Sequence, residues 1–155
     1  MREPDYLGNC DLLKKSIIGF FSSRTTAPLS VLPTLDWAHE VARRDDVAVM
    51  SGFQSPMERE VLDILLGGKC GIIVALNRSI YRKVPPRYAE AFASDRLLFV
   101  SLIPGDVVMP STAQAAQRNK YIAETASSLV FSSVAPSSSL YQLIQEYSAK
   151  TSHII

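Results

Sequence analysis

Serine, threonine and arginine gather in short stretches along this chain, each beside a run of apolar residues. They are Ser22-Ser23-Arg24-Thr25-Thr26, Ser51-Gly52-Phe53-Gln54-Ser55, Asn77-Arg78-Ser79, and Ser132-Ser133 with Pro136-Ser137-Ser138-Ser139. Pro104-Gly105-Asp106 follows a further run. Hydroxyls, a glycine and the free backbone N–H groups of a helix start are the groups that hold an anion. Arg24 adds a two-pronged donor whose geometry matches phosphate. The competing reading is that these serines and threonines only cap helices and shape turns.

A second basic set, Arg78, Arg82, Lys83 and Arg87, falls within ten residues. It reads either as a solvated loop or as a rim along a nucleic-acid backbone, with Tyr81 and Tyr88 to stack on bases. Catalytic chemistry finds little footing. His39 lies inside a helical segment and His153 in a tail expected to fray, and no G-x-S-x-G elbow exists. Neither a G-x-G-x-x-G fingerprint nor a Walker loop follows the first apolar run. Glu58, Glu60 and Asp63 suit the positive end of a helix, and Glu58 is the one acid that a hydrolytic reading could nominate. Cys10 and Cys70 stand far apart with no Cys/His cluster, so neither metal nor disulfide is expected, and no cofactor motif is present.

The elements that must position these groups alternate. Apolar runs fall at Ser16–Phe21, Val47–Met50, Gly71–Leu76, Leu97–Leu102 and Leu129–Ser132. Their near-continuous apolarity is that of strands buried on both faces. Helix-period segments separate them, at Pro33–Arg44, Pro56–Leu66, Pro86–Ala93 and Ser111–Ser127, with a last helix capped by Ser137 or Ser138. Strand and helix in alternation predict a doubly wound α/β, Rossmann-like domain: a mostly parallel sheet of about five or more strands with helices on both faces. In such a sheet ligands sit beyond the strand carboxyl ends, where the serine-rich stretches fall.

The chain's 155 residues suit one domain, with residues 1–13 as a lead-in. A 47% hydrophobic and 20% charged composition is that of a globular protein. Sixteen basic against fifteen acidic residues leave a net charge of +1, so a nucleic-acid site must be a local patch. With no signal-like N-terminus and no apolar run near roughly 18 residues, the expectation is a cytoplasmic protein without membrane contact.

Several stretches, in order, resemble the DprA/Smf (DNA-processing protein A) family. They are Gly19-Phe20-Phe21-Ser22-Ser23-Arg24, Trp37-Ala38, Val49-Met50-Ser51-Gly52-Phe53, Gln117-Arg118-Asn119-Lys120-Tyr121-Ile122-Ala123 and Pro136-Ser137-Ser138-Ser139-Leu140. The agreement runs over roughly residues 16 to 145. The resemblance implies an extended Rossmann-like domain, of the superfamily that also holds the lysine-decarboxylase-like nucleotide hydrolases. It also implies single-stranded DNA binding for handover to a recombinase, and a homodimer. Carried over, the implied contacts are Arg24, Ser51, Gly52, Arg118, Asn119, Lys120 and the Ser137-Ser138-Ser139 turn; phosphate binding suits Arg118 and Lys120 chemically.

This chain departs from the family in having Pro56-Met57-Glu58 after the Ser-Gly turn, Leu62 in place of a helix His, and Ser138 in place of the last turn's Gly. The winged-helix-like domain often found in the family is expected to be absent. The hydrolase turn Pro-Gly-Gly-x-Gly-Thr-x-x-Glu has no counterpart, which points away from an enzyme. A small-nucleotide sensor or hydrolase, and an interaction scaffold without ligand, are the alternative readings.

Overall fold

A computed structural model describes residues 3–155. Seven strands form one sheet: β1 (Asp5–Gly8), β2 (Ser16–Ser22), β3 (Val47–Ser51), β4 (Gly71–Ser79), β5 (Leu97–Ile103), β6 (Ser128–Ser132) and β7 (Thr151–Ile154). Five helices connect them: α1 (Val31–Ala42), α2 (Pro56–Leu66), α3 (Ala89–Ala93), α4 (Thr112–Thr125) and α5 (Ser139–Glu146). The strand order is β1-β5-β4-β3-β2-β6-β7, parallel throughout except for β1, which runs antiparallel to β5. The Rossmann-like architecture expected from the alternating pattern is the one observed.

Side chains alternate across each strand, so the five apolar runs feed two cores. Ile18 and Phe20 of β2, Val47 and Val49 of β3, Ile72 and Val74 of β4, and Leu97 and Phe99 of β5 face α1, α2 and α3. Ile17 and Phe21, Ala48 and Met50, Ile73 and Ala75, and Leu98 and Val100 face α4 and α5. Phe20, Phe21, Phe99 and Phe131 are among the largest fully buried side chains. Gly19 permits the close approach of α4: a Cβ there would stand 2.8 Å from Leu129, 3.0 Å from Ile122 and 3.2 Å from Ala126.

Local chemistry sets the helix limits. Ser55 and Glu58 close a capping box at the start of α2, as Ser111 and Gln114 do for α4. Ser138 caps α5, its Oγ accepting from the Leu140 N–H at 3.1 Å. α1 begins two residues before Pro33, which sits in its first turn, where a missing N–H costs nothing.

Two segments differ from the sequence expectation. The described part of the 1–13 lead-in holds edge strand β1 and a 3-10 turn, Cys10–Lys14, whose Leu12 is only 2% exposed; residues 1–2 lie outside the described residues. The tail carrying His153 is β7, paired with β6, although His153 itself is exposed. Both are short, polar-rich edge strands, and half-exposed strands of four residues leave no apolar run to read.

The chain steps outward from β2 through β3 and β4 to β5. It then returns along α4, which packs on β4 and β2, to place β6 on the other side of β2. The connections therefore diverge at the carboxyl ends of β2 and β6, the topological switch point.

Candidate phosphate-binding site

Ser22 ends β2 at this switch point and is 4% exposed. Its N–H donates to Glu58 Oε2 at 2.9 Å, while its Oγ has no hydrogen-bond partner. Glu58, in the first turn of α2, also accepts from the N–H groups of Gln54 (2.9 Å) and Ser55 (3.3 Å) through Oε1. One carboxylate thus satisfies three backbone donors and ties the end of β2 to the start of α2.

Ser51 ends β3 fully buried, and its Oγ accepts from the Phe53 N–H at 3.1 Å. That bond supports a tight turn in which Phe53 takes the left-handed backbone, φ 51°, a conformation costly for a bulky residue. Gly52, between them, has no room for a side chain: a Cβ would stand 2.4 Å from Arg118 Nη1 and 2.6 Å from Arg118 Cζ. The guanidinium of Arg118, midway along α4, therefore lies directly on the Gly52 backbone.

Arg118 Nη1 is buried without a partner, and Nε donates to Asn119 Oδ1 at 3.2 Å. Burial pulls the Arg118 pKa below the ordinary arginine value while the Glu58 carboxylate pushes it back up. Arginine titrates so high that the group stays charged. An unmet buried donor costs about 1–3 kcal/mol, more when charged. Two such orphans lie at these strand ends: Ser22 Oγ, on the face of β2 shared with Ile18 and Phe20, and Arg118 Nη1, on the α4 face over Gly52. A buried, unmet guanidinium suits a phosphate oxygen.

The other expected contacts are dispersed. Ser23 donates through Oγ to the Ser133 carbonyl and to the Thr25 carbonyl (3.0 Å), which ties the loop after β2 to the one after β6. Ser133, with φ 57°, accepts at Oγ from the Ala27 N–H at 3.0 Å. Arg24 is exposed on this loop. Lys120 is exposed and 3.9 Å from Glu124. Two residues along a helix is about 200° of rotation, so Lys120 does not share the Arg118 face. Ser137 and Ser139 are exposed beside the half-buried cap Ser138.

In the second basic set most charges are spoken for. Arg82 pairs with Asp106 at 2.5 Å and Arg87 with Asp63. Arg78 lies 4.4 Å over the Tyr81 ring and donates through Nε to the Ser79 carbonyl. Lys83 is exposed. The rings of Tyr81 and Tyr88 each meet Phe99 edge-on at 5.1 Å, and burial raises the Tyr88 pKa. Both rings, sought for base stacking, are therefore packed partly buried against the core.

Sequence reasoning placed Glu58 at a helix start but missed its bond to Ser22. The signal within reach was the Ser55-x-x-Glu58 capping box. The long-range half, Ser22 to Glu58, spans thirty-six residues and has no local signature.

No protein-family model and no curated protein sequence matches this chain. Solved structures do match. DNA processing protein A from Helicobacter pylori, studied for its single-stranded DNA binding mode, superimposes with a TM-score of 0.75 at 18% identity, over 97% of this chain and 70% of that one. DprA from Streptococcus pneumoniae superimposes with a TM-score of 0.76 at 16% identity, over 98% of this chain and 54% of that one. The second comparison leaves nearly half of the pneumococcal chain without a counterpart here. The sheet order, the crossover through α4 and both superpositions agree: the chain carries the Rossmann-like fold of the DprA proteins.

Proposed function

We propose that this domain binds single-stranded nucleic acid, in the manner of a DprA-like domain in DNA processing, at the carboxyl ends of β2, β3 and β6. The observation that carries the reading is the buried, unpartnered Arg118 Nη1 over Gly52. A backbone phosphate would satisfy this donor, and Arg24 on the loop after β2 would take a second phosphate. Phosphate contacts of this kind position a strand without reading its sequence. The Helicobacter pylori protein of the same fold is described as binding single-stranded DNA, which supports the choice of polymer. A homodimer and a cytoplasmic location belong to the same reading; light scattering on the purified protein tests the first.

The deciding experiment is anisotropy of a labelled single-stranded oligonucleotide over a series of salt concentrations, with duplex and a mononucleotide as competitors. Salt-sensitive binding that duplex and mononucleotide fail to displace is expected. Displacement by the mononucleotide alone would transfer the site to a small-nucleotide ligand. No binding at all would leave a scaffold.

A further inference from the structure

We propose, resting on the nucleic-acid reading above, that Leu29 and Leu32 form the surface on which unstacked bases pack beside Arg24, and that this loop carries the preference for a single strand over a duplex. Leu29 is 93% exposed and Leu32 71%. Across residues 27–33, Ala27, Pro28, Leu29, Leu32 and Pro33 are all apolar and exposed. Single exposed apolar side chains are ordinary, but a group of them marks a binding surface. Leu29 sits in the 3-10 turn Pro28–Ser30 and Leu32 in the first turn of α1. Helical backbone runs between them, and a separation of three residues brings both to one side.

The loop is tied down on both sides of Leu29. Ser23 Oγ donates to the Ser133 carbonyl, the Ala27 N–H donates to Ser133 Oγ at 3.0 Å, and Ser30 Oγ donates to the Ile155 carbonyl at 3.2 Å. The leucines are thus held outward by bonds to the segments that follow β6 and β7. Arg24 is exposed on the same loop and makes no ion pair among the described residues. The chain between Arg24 and Leu29 limits their Cα separation to about 18 Å. A free cation beside bare aliphatic faces fits a ligand that alternates phosphates with flat apolar rings. Gly52 and the Arg118 guanidinium close β3, two strand spacings from β6, or about 10 Å. One extended strand crossing the carboxyl ends can meet both places. Tyr81 and Tyr88 are packed on Phe99, which leaves the leucines as the apolar surface beside a free cation. In a duplex each base face is covered by its neighbours, and the leucines would meet only sugar and phosphate. A single strand offers the faces themselves, whatever its sequence.

The test compares a labelled single-stranded oligonucleotide with a strand of the same length that is abasic throughout, which keeps the phosphates and removes the rings. The double variant Leu29→Ser, Leu32→Ser should bind the base-bearing strand about tenfold more weakly than wild type. Its salt slope should be unchanged, because no phosphate contact is lost. Its affinity for the abasic strand should equal that of wild type. Leu29→Trp should bind the base-bearing strand roughly fivefold more tightly, since an indole stacks better than an aliphatic chain. Emission from the added indole, read against wild type with its one tryptophan, Trp37, should be quenched by the base-bearing strand and not by the abasic one. Equal loss on both strands in the serine variant overturns the proposal, and so do unchanged affinities in both variants. Unchanged affinity with an altered mass in light scattering overturns it in favour of a second copy of the chain on this surface. If the serine variant fails to fold, Leu29→Trp decides alone. In all these outcomes wild-type protein still binds the strand, so the nucleic-acid reading stands. Failure of wild-type protein to bind the base-bearing strand removes both readings, and is recognised before any variant is made.

Discussion

Arg118 is held in a position that costs stability. Its Nη1 is buried and unmet, and Gly52 is left bare so that the guanidinium can lie on its backbone. Arg118→Met keeps the bulk of the aliphatic stem and removes the unmet charge. This variant should match or exceed the wild-type melting temperature while losing oligonucleotide affinity, the pattern of a site kept for function at the expense of stability. A melting temperature lowered by several degrees would identify Arg118 as a structural residue instead. In the binding assay, Arg118→Ala should weaken every sequence alike and reduce the salt slope by about one. Gly52→Ala places a methyl group on the guanidinium. The domain should stay folded, because a side-chain end can move, and affinity should fall with Arg118 displaced. Combined with Arg118→Ala the losses should not add, which a double-mutant cycle on affinity reads directly.

At the scale of elements, two cations hold the helix ends that set the distances within the site. Arg96 donates to the carbonyls of Leu65 (2.6 Å), Leu66 (3.2 Å) and Cys70 (3.1 Å), closing the carboxyl end of α2 against the start of β4. Lys150 Nζ donates to the carbonyls of Ala123 (3.0 Å), Glu124 (3.0 Å) and Ala126 (2.9 Å) at the carboxyl end of α4. Helix carboxyl ends carry unmet carbonyls and partial negative charge, so a cation there serves both needs. Arg96→Ala should cost about 2 kcal/mol and Lys150→Ala about 1 kcal/mol, measured as shifts of the urea midpoint. The effect on nucleic-acid affinity should differ between them. α4 carries Arg118, so loosening its end disturbs the site more than loosening the far end of α2.

For the whole molecule, the sheet places the two cysteines in opposite situations. Cys10 is exposed in the turn after β1, whereas Cys70 is fully buried where the chain enters β4, and burial raises its thiol pKa. The thiolate is the reactive form, so native protein should take up a single equivalent of iodoacetamide, at Cys10. Cys70 should react only as fast as the domain opens, which makes its labelling rate a clock for unfolding. Rapid modification of both cysteines in native buffer would contradict the packing around β4. Among the described residues no helix is long and apolar enough to cross a membrane. The exposed side chains Leu29 and Leu32, and Val107 to Met109, lie on loops and helix starts rather than in the cores.

The sequence by itself determined the repeating unit. Runs such as Gly71–Leu76 are apolar at every position because the strand is buried on both faces, and Ser55-x-x-Glu58 closes a helix start within four residues. Such signals are local, so they survive being read along a line. They also placed Ser22, Ser51 and Gly52 at strand ends, and the family-like order of motifs singled out Arg118. Only the tertiary structure decided which of these groups meet. Arg118 reaches Gly52 because α4 crosses back over β4 toward β2, and Glu58 reaches Ser22 because β2 and β3 are neighbours in the sheet. The same folding separated Lys120 from Arg118 by helix rotation and turned Tyr81 and Tyr88 onto Phe99. Which donors stay unmet is likewise a property of the packed whole. It depends on every neighbour that could have supplied a partner.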